Sequence, residues 1–334
     1  VSRNDFIALG KQTAFGTKNI TAGYFPPVES ANAAPSREEM TTEETTGNRY
    51  PTALDYGVMG WDVTANGPLR AASAPRLFAG FWGLPTTTTP DATNAPTARK
   101  HSWDTVALGT ALSPTSIYVV RKDPNPAVVD LFWDCYGSEL TLAVEPNGYL
   151  TWDATWKARD LDDTQSAPSP TPDLTTRWPF HQVVVQLGID GGALANVTSS
   201  GIEFTYTNNI DDDYGVLGSQ RNASLGVHNA DAEWTLKIKD ATALSAHYRR
   251  NLQNSPAALK LHVTATGAKI GAGPSTTFYT VDFTVQLANS TEAPLEVSAG
   301  DRLKEIEIKA RAAYDGTAAK FVDAFVINEV ATAY

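Results

Sequence analysis

Cysteine is almost missing from this chain. Cys135 is the single one in 334 residues, so no intrachain disulfide can form and stability does not depend on an oxidising compartment. The run Leu131-Phe132-Trp133-Asp134-Cys135-Tyr136 reads as a buried strand, which makes the thiol an inert core group rather than a nucleophile. Long apolar runs are missing too: no stretch reaches the roughly 18 apolar residues of a membrane span. The opening residues Val1-Ser2-Arg3-Asn4-Asp5-Phe6 lack the apolar centre of a secretory signal. Both absences lead us to expect a soluble protein, made in a cytoplasm and not associated with a membrane. Cations are few. The 26 Lys and Arg stand against 37 Asp and Glu, a net charge of −11. Tight nonspecific grasp of nucleic acid needs clustered cations to neutralise phosphate, so this balance works against it while permitting a surface past which nucleic acid slides.

Catalytic signatures are also wanting. The five histidines, His101, His181, His228, His247 and His262, sit in five different segments, and none is spaced from another His, Cys or Glu as metal ligands are. There is no Gly-x-Ser-x-Gly turn, glycine-rich phosphate loop or His-Glu-x-x-His helix. The acidic run Asp211-Asp212-Asp213 could gather oxygen ligands for calcium, but it follows Asn208-Asn209 without EF-hand spacing and reads as a polar turn. Asp160-Leu161-Asp162-Asp163 reads the same way. The eight tryptophans fall mostly within strand patterns, so core packing is preferred to a sugar-stacking platform. The Asn-x-Ser/Thr triplets at Asn19, Asn196, Asn222 and Asn289 are treated as coincidence in a chain rich in these residues. The expectation is a protein that is not an enzyme and carries no metal or cofactor.

What is present is a layout used twice, roughly 170 residues apart. First, the alternating strand Gly60-Trp61-Asp62-Val63-Thr64 runs into an amphipathic helix around Pro75-Arg76-Leu77-Phe78-Ala79-Gly80-Phe81-Trp82, with β-rich runs at 117–134 and 138–160. Then Glu233-Trp234-Thr235-Leu236-Lys237-Ile238-Lys239 runs into a helix over Ala241–Tyr248, with β-rich runs at 259–263, 278–287 and 303–312. Period-two alternation is strict in Ile202-Glu203-Phe204-Thr205-Tyr206-Thr207, the mark of half-wet strands in antiparallel sheets. It recurs in Lys304-Glu305-Ile306-Glu307-Ile308-Lys309-Ala310-Arg311, whose composition alone also suits a helix. Asn147-Gly148 marks a tight hairpin turn. Pro168, Pro170 and Pro172 alternate in an extended spacer. The expected architecture is therefore all-β with two tandem domains, each flanked by a short helix. Residues 1–165 form the first, with an extended arm at 24–57 and a Thr/Pro loop at 85–100. Residues 166–176 are the linker, and 177–334 form the second domain with a C-terminal arm.

Several stretches together resemble the tail tube proteins, or major tail proteins, of long non-contractile tailed bacteriophages (siphophages). They are Lys11-Gln12-Thr13-Ala14-Phe15-Gly16-Thr17, Gly57-Val58-Met59-Gly60-Trp61-Asp62-Val63, and Gly201 to Ile210 followed by Val216-Leu217-Gly218-Ser219 and Ala232 to Ile238. The likeness follows chain order over most of the length. Lys11 stands where an acidic residue is frequent in that family, and the Thr/Pro loop resembles an insertion. The resemblance implies tandem β-sandwich or barrel tube domains whose inner sheets join neighbours around a lumen. Such rings stack into a virion tail tube through which double-stranded DNA passes during ejection without being held. Partners so implied are further copies of the chain, a tape measure protein inside the tube, and tail tip and terminator proteins. Two tube domains per chain imply three chains per pseudo-sixfold ring. The polar strand faces Glu203, Thr205, Thr207 and Glu305, Glu307, Lys309 are then expected to line the lumen. Glu38, Glu39, Glu43 and Glu44 of the arm, with Phe321, Val322, Phe325 and Ile327 of the tail, are expected between rings. The competing readings are a secreted or surface carbohydrate-binding or hydrolytic β-sandwich, and another phage structural protein of capsid-decoration or baseplate type.

Overall fold

The computed structural model describes residues 5–19, 23–36, 39–41, 54–56, 59–103, 112, 114–122, 127–210, 227–238, 258–271, 273–292, 306–316 and 320–331. It is an all-β molecule, as expected. In the first half the elements are β1 (Phe6–Lys11), β2 (Ser30–Ser36), β3 (Glu39–Thr41), β4 (Leu54–Tyr56), β5 (Gly60–Pro68), α1 (Ala74–Trp82), β6 (Thr86–Thr88), β7 (Arg99–Trp103), β8 (Thr115–Arg121), β9 (Val128–Val144), β10 (Thr151–Ala158) and β11 (Asp160–Asp162). The second half holds β12 (Val183–Ile189), β13 (Ala195–Asn196), β14 (Ser199–Ile210), β15 (Val227–Ile238), β16 (Ala258–Lys269), β17 (Phe278–Glu292), β18 (Ile306–Ala313) and β19 (Val322–Asn328). Every ladder among the described residues is antiparallel.

The repeated layout is a repeated topology. The first half builds β2-β5-β10-β9 and β1-β8-β9-β11; the second builds β14-β15-β18-β17 and β12-β16-β17-β19. One long strand in each half serves two sheets. The start of β9 pairs with β8 and β11, and from Tyr136 onward it pairs with β10. At the change-over Asp134 takes φ 53°, a left-handed conformation rare outside glycine, and the strand is redirected there. In β17 the stretch Thr280–Val285 pairs with β19, while Leu287–Glu292 pairs with β18. The two layers of each half thus share a strand and enclose a core.

Alternation accounts for most strands. In β14 the odd positions Glu203, Thr205 and Thr207 are open, and Ile202, Phe204 and Tyr206 are buried. From the ambiguous Lys304–Arg311 run, Ile306–Arg311 falls in β18, where Ile308 and Ala310 continue the inward row set by Leu236 and Trp234 of β15. Between β9 and β10, Asn147 takes φ 63° and the Gly148 N–H donates to the Glu145 carbonyl at 3.0 Å, closing the expected hairpin.

Helix α1 differs from its expected amphipathic character. Proline stands in its first turn, where a missing N–H costs nothing, and Gly83 (φ 82°) ends it by donating to the Ala79 carbonyl at 3.1 Å. Of its residues only Arg76 is not buried, so this is a core helix closed over on all sides. The second helix, Ala241–Tyr248, lies outside the described residues.

One hydrophobic core runs through both halves. Trp152, Trp156, Trp178 and Trp234 are among its largest buried side chains. Phe81 meets Trp156 with ring centroids 5.6 Å apart in the first half, and Phe204 meets Phe283 at 4.9 Å in the second. Residues 166–176 run along the first half: Phe25 bridges to Pro172, the Tyr24 hydroxyl meets Asp173 at 3.2 Å, and Ala71 N–H donates to the Thr176 carbonyl. From the Thr/Pro loop, β6 pairs with β7, and β7 pairs with β19 of the second half.

Candidate functional site

An extended polar surface is the outer face of the sheet β2-β5-β10-β9-β14-β15-β18. Its cross-strand rows cross the boundary between halves without a break. One row is Asn66, Asp153, Thr141, Thr205, Glu233 and Arg311; the next is Thr64, Thr155, Glu139, Thr207 and Asp231; a third includes Thr151, Ala143, Glu203, Thr235 and Lys309. Carboxylates (Asp62, Glu139, Asp153, Glu203, Asp231, Glu233, Glu307) outnumber cations (Lys157, Lys237, Lys309, Arg311) on this face. Threonine fills much of the rest, since its branched Cβ suits a strand while its hydroxyl stays wet. The Arg311 guanidinium pairs with Asp231, and Lys309 lies 3.6 Å from Glu307, so these two cations are answered within the face.

The seam between halves is β9 against β14, from Glu139↔Thr207 to Val144↔Ile202. On the polar side the Thr141 and Thr205 hydroxyls meet across it at 3.0 Å. On the buried side Asn208 donates from its amide to the Phe81 and Gly137 carbonyls, each at 2.9 Å. Asn208 is 2% exposed, so these bonds are formed away from water, where an unmade partner costs about 1–3 kcal/mol. At Gly137 a Cβ would sit 2.5 Å from the Phe81 ring; glycine is what lets β9 approach the helix. Asn328 does similar work at the far end of α1. Its amide donates to the Ala71 carbonyl at 2.7 Å, and its oxygen faces His101 Nε2 at 3.2 Å.

The segment Lys11–Thr17 is pinned at the bend of β9. The Asp134 carboxylate accepts hydrogen bonds from the Gln12 amide, from Gly16 N–H at 2.9 Å and from Arg159 at 3.3 Å. The Gln12 oxygen in turn accepts the Asp134 N–H at 3.0 Å. Phe15 stacks on Tyr136 and joins Ile210 of β14 in a small apolar cluster, so the segment reaches across both halves. Burial pushes the Asp134 carboxyl above the ordinary aspartate value, with the Gly16, Gln12 and Arg159 hydrogen bonds opposing. Burial also raises the Tyr136 phenol to about 12 and lifts the Cys135 thiol well above its usual range, which keeps that sulfur protonated and unreactive.

A further polar constellation, around His262, is internally bonded. His262 meets the Gln186 oxygen through Nδ1 at 2.8 Å and Asp282 through Nε2 at 2.7 Å, while Thr264 donates to the same carboxylate at 2.6 Å. Both ring nitrogens are therefore engaged. Among the described residues no group of three or more His, Cys, Asp or Glu could hold a metal ion. No helix among them is long and apolar enough to cross a membrane.

The structure brings together Glu203, Thr205, Thr207, Glu307 and Lys309, all on the polar face; Glu305 lies outside the described residues. In the arm, Glu39 belongs to the short ladder of β3 with β4, and Glu38, Glu43, Glu44 and Asp211–Asp213 lie outside the described residues. The tail residues Val322, Phe325 and Ile327 belong to β19, held between β17 and β7, with Phe321 just before it. Val322 is buried, and the Lys100 ammonium sits 4.1 Å over the Phe325 ring. Sequence reasoning missed Asn208, Asn328 and the Gln12–Asp134 pair. The only sequence signal for the first was a polar residue at an inward parity position of β14.

No curated protein matches the chain. A protein-family model described as phage tail tube protein matches residues 2–286. That match covers most of the chain and agrees with the all-β fold, so this protein belongs to the phage tail tube protein family and is a structural component of the virion tail.

Proposed function

We propose that three copies of this chain close a pseudo-sixfold ring, and that stacked rings form the tail tube of a siphophage. The observation that carries this reading is the β9–β14 seam, where an edge of one four-stranded sheet is bonded to the edge of its topological equivalent with the polar face unbroken. Each half, 1–165 and 177–334 with 166–176 between them, serves as one tube domain. Repeating the seam between chains joins the end of β17 to β2 of the next copy. The outer edges of β2 and of Ser290–Glu292 have no strand partner among the described residues. A closed ring removes both edges, which open would recruit stray strands. Three chains with four strands per half make a barrel of about 24 strands.

In this arrangement the face carrying Glu203, Thr205, Thr207, Glu307 and Lys309 lines the lumen; Glu305 lies outside the described residues. An acidic, threonine-rich wall repels phosphate and lets double-stranded DNA pass without capture. The same lumen holds a tape measure protein before ejection, and tail tip and terminator proteins close the two ends. The acidic arm with Glu38, Glu39, Glu43 and Glu44 makes contacts between rings, and the outward side chains of β19, Phe325 and Ile327, lie on the layer away from the lumen. Synthesis takes place in the host cytoplasm, and the role is structural rather than catalytic. Native mass spectrometry of isolated rings tests the stoichiometry: three chains are expected, and rings of six chains would overturn it.

A further inference from the structure

The arm and the opposite end of the sheet are chemically complementary. The arm springs from the end of β2 at Ser36, beside Gly60 at the start of β5. At the other end of β5, about 30 Å away for nine strand residues, the chain passes through Arg70. There Arg70 faces Arg177 across an isolated antiparallel bridge. Like charges placed directly opposite repel; neither guanidinium has a carboxylate at ion-pair distance among the described residues, and the nearby Asp173 carboxylate only partly offsets the effect of burial and Arg177 on Arg70, whose pKa stays lowered. Arg70 spends one nitrogen on the Thr175 carbonyl at 2.7 Å, while its buried Nε has no partner. Arg177 is exposed and lies 4.3 Å over the Tyr149 ring. The same end leaves Tyr149 42% and Leu174 82% exposed. Two facing cations with exposed apolar groups beside them fit an acidic, β-forming peptide.

Glu38-Glu39-Met40-Thr41-Thr42-Glu43-Glu44 is such a peptide, and it belongs to this chain. We propose that the Arg70–Arg177 pair, flanked by Tyr149 and Leu174, receives the acidic arm of a second copy in the next ring. The contact joins opposite ends of one body, so it is heterologous and propagates as a stack without closing. This deepens the tail-tube reading and rests on it.

The test starts from Arg177→Glu in the full chain, an exposed position where circular dichroism should be unchanged. Rings should persist, and the protein concentration needed for tube growth, read by sedimentation and negative-stain microscopy, should rise on the order of tenfold through several weak contacts per ring. Adding Glu43→Arg and Glu44→Arg to that variant should restore growth. Cysteines at both positions, Arg177→Cys with Glu44→Cys, should oxidise into a covalent ladder longer than one ring, since Cys135 is buried. Tube growth by Arg177→Glu at the wild-type concentration would overturn the proposal. So would failed rescue by the charge swap, or cross-links confined within single rings. Ring mass in the same preparations keeps the two readings apart. Three-chain rings that stack without cross-linking defeat the docking alone, and rings of another count with a full ladder defeat the stoichiometry alone.

Discussion

The two halves share a strand order, and among the described residues they fill it with different side chains. In the first, the order β2-β5-β10-β9 is filled from one side by α1, which brings Phe78, Phe81 and Trp82 against Trp103, Trp156 and Tyr206. In the second, the described residues of the equivalent order β14-β15-β18-β17 meet the outer layer through Phe204 and Phe283. The second half also borrows. Its outer layer gains β7 and β6, which come from residues 86–103 of the first half. Pairing order survives divergence because it depends on hydrogen-bonding edges and on which parity is apolar, whereas the filling can be exchanged as long as volume is kept. The exchange of strands and of Asn208 and Asn328 makes the halves partners in one core.

If that is right, damage to either interior should be felt by the whole chain. Trp156→Ala in the first half and Phe283→Ala in the second should each cost about 3–5 kcal/mol. Calorimetry should show one transition moving down in both variants; two separating transitions would show that the halves melt independently. A smaller effect is expected at the seam. Asn208→Ala leaves the Phe81 and Gly137 carbonyls unpaired and should cost about 2–3 kcal/mol. Its signature is geometric as well, because the amide fixes how β14 lies against the helix. Isolated rings of this variant should vary in diameter by microscopy, and uniform rings would reduce Asn208 to a packing residue.

The smallest effect compares the outer edges of the halves. Asp162 at the end of β11 is held well below the ordinary aspartate value, first by Lys18 and then by Thr164 and Gln165. Glu329, just past the equivalent strand β19, is lowered by Tyr279 and Thr97. A depressed carboxylate adds stability above its unfolded pKa of about 4 and loses it as pH falls through the folded value. Acid titration of stability should therefore show a downward limb below about pH 4, shallower in Asp162→Asn and, by a lesser amount, in Glu329→Gln. An unchanged limb in Asp162→Asn would remove this edge contact from the comparison.

Much of the fold was legible along the chain because the relevant signals are local. The alternation in Ile202–Thr207 and Glu233–Ile238 states which side chains face inward before any partner strand is known. The Asn147-Gly148 turn carries its own backbone preference. The polar face was legible for the same reason: Glu203, Thr205 and Thr207 must share a side of their strand, whatever that side meets. What could not be read were contacts between distant segments. Asp134 looked like one more residue of an apolar run, yet it holds Gln12 and Gly16 from 118 or more positions away. The run Phe321–Ile327 looked too apolar for water, and its residues from Val322 onward lie in a strand between β17 and β7.

The sequence by itself determined the all-β class and the parity of strands such as β14 and β15, since period-two patterning and turn chemistry act over a few neighbouring residues. Tertiary structure alone decided that the edges of the two halves meet at β9 and β14, that Thr141 stands beside Thr205, and that α1 is buried rather than surface-lying. Those outcomes depend on which hydrogen-bonding edges and which apolar faces are left over once every local element has formed, and that remainder is a property of the whole chain.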